Sequence, residues 1–218
     1  MTKLVIFDLD GTLLNTIDDL ANSCNYLLRK YHLPEHTTDK YRYFVGNGIP
    51  KLLERILPEH LKTDHEFRSA LLEEFLDYYA QHKSDLTAPY QGIRELLTEL
   101  HARRIAIAVA SNKAHEAIAP LLQHYFPNIP FAASLGQRAG FPLKPDEAVV
   151  EAILKIVQVE KSETLYVGDT GVDMQTAVNA NVKPIGVLWG FRTEEEIRNA
   201  GAQVVIAQPL ELLQYIES

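Results

Sequence analysis

The stretch Leu4-Val5-Ile6-Phe7-Asp8-Leu9-Asp10-Gly11-Thr12 opens with four consecutive apolar residues and then breaks into two aspartates and a glycine. Apolar on successive positions rather than alternating, Leu4–Phe7 reads as a strand covered on both faces, the kind found in parallel sheets. Its partners are predicted far downstream. From about Tyr90 onward, similar runs at Ile105–Ala110, Thr164–Val167, Pro184–Leu188 and Val204–Ala207 alternate with helix-like stretches, the pattern of repeated βα units. Between Asn15 and Ala88 no strand is predicted. Apolar residues there recur at helical spacing, as at Leu71, Leu72, Phe75, Leu76 and Tyr79, which predicts helices. The fold class is therefore α/β: a parallel-sheet core from residues 1–14 and 89–218, with an α-helical insertion, residues 15–88, after the first strand. Thr87-Ala88-Pro89-Tyr90-Gln91-Gly92 marks the return to the core.

A chain of 218 residues suits one large domain or a core carrying a smaller insert. With 46% hydrophobic and 23% charged residues, global disorder is not expected. Twenty-one Lys and Arg against 29 Asp and Glu leave a net charge of −8, so nucleic acid is not an expected partner. Cys24 is the only cysteine, which excludes an intramolecular disulfide and a Cys-rich zinc site. Leu4–Phe7 is too short for a signal peptide's hydrophobic region, and Ile105–Ala110 falls far short of the ~20 residues that span a bilayer. A cytoplasmic protein with no membrane partner is expected.

In open parallel sheets, ligands bind beyond the carboxyl ends of the strands. The first strand is followed by Asp8-Leu9-Asp10-Gly11-Thr12, the run at 105–110 by Ser111-Asn112-Lys113, and the run at 164–167 by Gly168-Asp169-Thr170-Gly171-Val172-Asp173. Lys144-Pro145 precedes a helical stretch, Asp146 to Val157. Carboxylates held together repel one another unless a cation is present, and an oxygen-rich set suits Mg²⁺. A lysine and a serine hydroxyl beside them offer positive charge and a donor to a phosphoryl group, and Gly11 and Thr12 would bring backbone N–H groups to the same oxygens. Each residue alone has an ordinary structural role. Thr170 or Asp173 could cap the next helix, Ser111-Asn112 could cap one starting near Lys113, and Lys144 could be a solvated surface lysine. Their joint occurrence favours chemistry.

Asp8-Leu9-Asp10-Gly11-Thr12-Leu13, Ser111-Asn112-Lys113, Lys144-Pro145 and Gly168-Asp169 with Asp173 resemble, in order, the four motifs of the haloacid dehalogenase (HAD) superfamily. The nearest resemblance is to its phosphoglycolate phosphatase-like members, which have a Rossmann-like core and a helical cap inserted after the first motif. The resemblance implies that Asp8 is the nucleophile, forming an aspartyl-phosphate, and that Asp10 is the acid and base. It implies Mg²⁺ held by Asp8, the Asp10 backbone carbonyl and Asp169, with support from Asp173. Gly11, Thr12, Ser111, Asn112 and Lys144 are implied on the phosphoryl oxygens.

Asp10 also separates relatives. The superfamily's dehalogenases carry an aromatic residue at that place and its phosphonate hydrolases an alanine, so an aspartate looks like a phosphatase or a phosphomutase. Gly48-Ile49-Pro50-Lys51 resembles the segment where phosphonate hydrolases place a Schiff-base lysine, but beside Asp10 we read Lys51 as a cap lysine at the rim. Asn15 departs from the aspartate many relatives carry, and Gln91 from a proline. Val45-Gly46-Asn47-Gly48 reads as a tight turn between cap helices, and Asn47 and Lys51 are the candidate specificity residues. Arg42 and Arg55 are further cations for a substrate carboxylate. His60 and His65 read as exposed rather than as a metal pair, and the aromatics of Trp189-Gly190-Phe191 read as exposed. The expected function is a Mg²⁺-dependent phosphatase acting on a small phosphorylated metabolite, with 2-phosphoglycolate the leading substrate, as a monomer or homodimer. A β-phosphoglucomutase-like phosphomutase and a phosphate-binding regulatory module with little turnover are the alternatives.

Overall fold

The computed structural model describes residues 1–216. The first strand, β1 (Leu4–Phe7), is completely buried. The chain then passes through β2 (Leu14–Asn15) into four helices: α1 (Ile17–Lys30), α2 (Thr38–Phe44), α3 (Ile49–Ile56) and α4 (His65–His82). It returns through β3 (Ala88–Pro89), which pairs with β2 in a two-stranded sheet, to α5 (Ile93–Ala102). Alternating elements follow: β4 (Ala106–Ala114), α6 (His115–Tyr125), β5 (Phe131–Gln137), α7 (Ala148–Val157), β6 (Thr164–Gly168), α8 (Gly171–Asn179), β7 (Lys183–Val187), α9 (Glu194–Asn199) and β8 (Val204–Ile206).

The main sheet has the order β5-β4-β1-β6-β7-β8, and its paired strands are parallel throughout. β1 lies between β4 and β6, with Phe7 opposite both Val109 and Val167. The chain segments that follow these three strands therefore leave from one edge. Side chains on one face of the sheet, including Val5, Phe7, Val109 and Val167, pack with Leu96, Leu100 and Leu121. Those on the other, including Leu4, Ile6, Ala108 and Tyr166, pack with Val150, Ile153 and Ala177. Burial on both faces is why β1 and β6 read as unbroken apolar runs.

The sequence runs at 164–167, 184–188 and 204–207 are strands to within a residue at each end. The run at 105–110 is longer than expected: β4 continues through Ser111-Asn112-Lys113 to Ala114, with its register against β5 broken between Ala110 and Ala114. Ser111-Asn112 thus belongs to an irregular strand end and not to a helix cap. β5 was not predicted. Its sequence, Phe-Ala-Ala-Ser-Leu-Gly-Gln, lies at the sheet edge and is mostly half-buried or exposed, so it lacks the apolar run of a covered strand. α7 starts two residues later than expected.

The chain divides into two compact units, residues 1–14 with 89–216 of the described chain and residues 15–88. In the second unit α1 packs on α2 and α4, and α3 on α4. Leu71, Phe75 and Tyr79 are buried, whereas Leu76, on the same predicted stripe, is 44% exposed. The buried Asp19 carboxylate, in the first turn of α1, accepts from Leu86 N (2.9 Å), Thr87 N (2.8 Å) and Thr87 Oγ1 (2.7 Å). It ties the end of the insertion to its beginning. Gly46 and Gly48, both at positive φ, make the turn between α2 and α3.

Candidate active site

Four segments of the core meet at the carboxyl edge of β1, β4 and β6. At their centre is Lys144, whose side chain is 3% exposed. Its three N–H groups are shared among four oxygens: Asp8 Oδ1 (2.8 Å), Asp173 Oδ1 (2.7 Å), Ala110 O (3.0 Å) and Tyr166 OH (3.2 Å). It is not a surface lysine. Burial works against its charge, but Asp173 and Asp8 outweigh that and hold its pKa well above the usual lysine value. Asn112 fixes its backbone: Oδ1 accepts from Lys144 N (2.9 Å) and Nδ2 donates to Lys144 O (3.2 Å). The side chain of Asn112, a residue expected at the phosphoryl group, is thus the clamp that sets Lys144, and no observation tests that expectation.

The carboxylates form a tight group. One oxygen from each of Asp8, Asp169 and Asp173 lies within 4.8 Å of the others, and all three residues are buried. Asp169 accepts from Thr12 Oγ1 (2.9 Å) and Phe191 N (2.8 Å), both neutral donors. Burial, then the charges of Asp173 and Asp8, push its carboxyl pKa well up. Burial likewise raises the Asp8 carboxyl to about 7, against the Lys144 ammonium, which holds it down. Three buried carboxylates sharing one ammonium leave excess negative charge, and hard oxygen donors on a divalent cation answer that excess. The residues fit a divalent ion, with Asp8 and Asp169 the more available. Asp173 has both oxygens in use, Oδ1 on Lys144 and Oδ2 accepting from Thr170 N (3.0 Å) and Thr170 Oγ1 (2.6 Å).

Thr170 caps α8, as one structural alternative foresaw, and its capping box with Asp173 orients that carboxylate toward Lys144. Close packing leaves no slack around the group. A Cβ on Gly11, at φ +96°, would come within 2.3 Å of Asp169 Oδ2, and one on Gly190 within 2.2 Å of Asp169 Cβ. Trp189 and Phe191 flank Gly190 and are not exposed as expected. Phe191 is buried, and half-buried Trp189 donates its indole N–H to Thr12 O (3.0 Å).

Asp10 lies beyond this group. Both its carboxylate oxygens accept from Lys113 Nζ, at 3.1 and 3.2 Å, and the Lys113 side chain is 3% exposed. The N–H groups expected to cradle a phosphate are already engaged within the turn: Gly11 N donates to Leu14 O (2.8 Å) and Thr12 N to Leu9 O (3.4 Å). Ser111 is buried, and its Oγ accepts from Lys113 N (3.2 Å). In the inserted unit, Asn47 Oδ1 accepts from Arg55 Nη2 (2.8 Å), and Arg55 Nη1 also donates to Phe44 O (2.8 Å), so this arginine braces the turn at Gly46–Gly48. Lys51 pairs with Glu54 at 2.5 Å, and Arg42 lies 3.8 Å from Asp39. His60 and His65 are exposed.

Two residues of the cluster were given no role in the sequence reading. Lys113 closes the motif Ser111-Asn112-Lys113, but its contact with Asp10 spans 103 residues of the chain. Tyr166 sits inside an apolar strand and looks like core, yet its hydroxyl accepts from Lys144 and donates to Ala110 O (3.3 Å). Neither contact carries a local signal.

Residues 5–187 match the model of the haloacid dehalogenase-like hydrolases. A phosphoglycolate phosphatase of Pseudomonas savastanoi pv. phaseolicola is 34% identical over 209 residues, which cover 94% of this chain and 76% of that one. A phosphoglycolate phosphatase of Vibrio parahaemolyticus is 30% identical over 218 residues, 98% of this chain and 96% of that one. A crystal structure from Lactobacillus delbrueckii subsp. bulgaricus, provisionally described as a phosphoglycolate phosphatase, superposes with a TM-score of 0.92 at 30% identity and covers 99% of both chains.

Proposed function

Because the chain belongs to the haloacid dehalogenase-like hydrolase family, we propose that it is a Mg²⁺-dependent phosphatase that hydrolyses 2-phosphoglycolate through an aspartyl-phosphate. The observation that carries the reading is the buried Asp8–Lys144–Asp173 bridge beside Asp169. It presents one carboxylate oxygen at a strand end next to a fixed positive charge. That is what attack on a phosphate dianion requires, since anion meets anion.

In this reading Asp8 forms a bond to phosphorus as the bond to the ester oxygen breaks. Asp10 gives that oxygen a proton and later takes one from the water that hydrolyses the intermediate, returning Asp8 and releasing phosphate. Lys144 stays on Asp8 and faces the transferring oxygens, while Asn112 and Asp173 keep it there. Ser111 donates its hydroxyl proton to the same oxygens. Asp8 and Asp169 would hold the Mg²⁺, which when bound supplies charge neutralisation at the phosphoryl group. Asp173 supports the site through Lys144 and Thr170.

Phosphate release from a panel of small phosphomonoesters, with Mg²⁺ and with excess EDTA, tests the reading. Release should require the metal, be greatest for 2-phosphoglycolate, and vanish in Asp8→Asn. Full turnover in Asp8→Asn would exclude Asp8 as nucleophile. Isomerised sugar phosphate without phosphate release, or a long-lived phosphoenzyme, would instead support the mutase or the regulatory reading.

A further inference from the structure

The end of β4 passes β5 at a single glycine. β4 runs from Ala110 to Ala114 while β5 runs only from Leu135 to Gln137, so Gly136 is the one β5 residue set against Ser111, Asn112 and Lys113. Bulges of this kind bend a strand and re-aim its side chains, and they gather beside active sites. Each bulged residue bears on the site. Ser111 is buried, Asn112 clamps Lys144, and Lys113 meets both oxygens of Asp10. Gly136 is itself buried and pressed against this segment: a Cβ there would meet Lys113 O, Ile118 Cδ1 and His115 Cα, all within 3.0 Å.

A side chain fastens the bulge. His115, the first residue of α6, receives the Gly136 N–H on its Nδ1 at 3.2 Å. A backbone N–H can only donate, so Nδ1 is bare and the neutral ring carries its proton on Nε2. The ring thus links the chain just after Lys113 to β5 where the regular register between the two strands has lapsed. It is not used to cap the helix it opens, since α6 has no side-chain cap bond. We propose that His115 is a positioning residue for the segment 111–113, its imidazole pinning the bulged end of β4 to Gly136. Without that acceptor a buried N–H loses a partner, which favours a shift of the bulge. Ser111, the clamp on Lys144 and the contact with Asp10 would then move together. The inference rests on the phosphatase reading for the reaction it serves.

The test sets His115→Leu, which has no acceptor, beside His115→Asn, whose amide oxygen stands as many bonds from the backbone as Nδ1 does. Both are assayed against the best phosphomonoester of the wild type, well below their melting temperatures. His115→Leu should lower kcat by about tenfold or more with KM changed less than about threefold, because the groups displaced act on the reacting phosphoryl centre. His115→Asn should restore most of that kcat. A His115→Leu protein that melts lower but keeps the wild-type kcat would reduce the bond to a structural one and overturn the proposal. Equal losses in both variants would overturn it too, since the bulk of the ring and not its acceptor would then matter. Ring ¹⁵N NMR of the wild type at about pH 8.5, with His115→Asn assigning the signal, should find the proton on Nε2; a proton on Nδ1 would exclude the bond. Should His115→Leu not fold, His115→Ala supplies the same comparison. Each of these negative results leaves the phosphatase reading standing, whereas a wild type inactive on every phosphomonoester would sink both.

Discussion

At the scale of single residues, the site is governed by who holds Lys144. One ammonium serves Asp8 and Asp173, and Asn112 pins its peptide from both sides. Removing the clamp leaves every charge in place but frees the chain that carries the lysine. Asn112→Ala should therefore lower kcat by about ten- to a hundredfold while the fold persists, since displacements near 1 Å at a reacting group cost on that order. Steady-state kinetics beside a circular dichroism spectrum checks this; unchanged kcat would show that the clamp is dispensable. Gly11 and Gly190 illustrate the opposite constraint. Only the lack of a side chain lets their backbones pass so close to Asp169.

At the scale of elements, helix capping and the site share the same atoms. Asp173 is the third helical residue of α8 and accepts from its cap, Thr170, while its other oxygen meets Lys144. Thr170→Val should destabilise the protein by about 1 kcal/mol, the usual worth of a cap. It should also lower activity by more than that loss explains, because Asp173 Oδ2 then keeps only the backbone N–H of residue 170 and holds Lys144 less firmly. Denaturant unfolding and kinetics on the same preparation separate the two effects.

Elements also set what could be read beforehand. β1 and β6 were legible because both faces are covered and their central positions are apolar in succession. β5 was not, because an edge strand of alanine, serine and glycine carries no such run. The aspartates were legible because they sit where the pattern switches from strand to loop, and Lys144 because Lys144-Pro145 stands just before a helical stretch. Lys113, Tyr166 and the clamp by Asn112 were not, because each acts on a group at least 22 residues away. Trp189 and Phe191 looked like exposed aromatics after β7, but their partners, Thr12 and Asp169, come from other segments.

At the scale of the whole molecule, the carboxylate group links stability to pH and to metal. Burial raises the Asp8 carboxyl from 3.8 to about 7 and raises Asp169 as well. A carboxyl whose folded pKa exceeds its unfolded one contributes stability fully below the unfolded value, and that contribution is lost as pH rises through the folded value. For Asp8 the window runs from 3.8 to about 7. The metal-free protein should lose stability across it as the carboxylates are forced to ionise with only the Lys144 ammonium to balance them. A divalent cation takes the place of the protons, so the rise in Tm on adding Mg²⁺ should be larger at about pH 8 than at about pH 5. Thermal melts with Mg²⁺ or EDTA at the two pH values test this. Equal increments would mean that the ion binds elsewhere.

The indole bond to the turn after β1 has an optical consequence. Trp189 is the only tryptophan in the chain, and the residue whose carbonyl it grips, Thr12, keeps its hydroxyl on Asp169. Its intrinsic fluorescence thus reports on one defined corner of the protein, and a change in charge at Asp169 reaches it through a single residue. Titration with Mg²⁺ should shift or quench that emission, so the binding isotherm can be recorded on unlabelled protein, before any substrate is known.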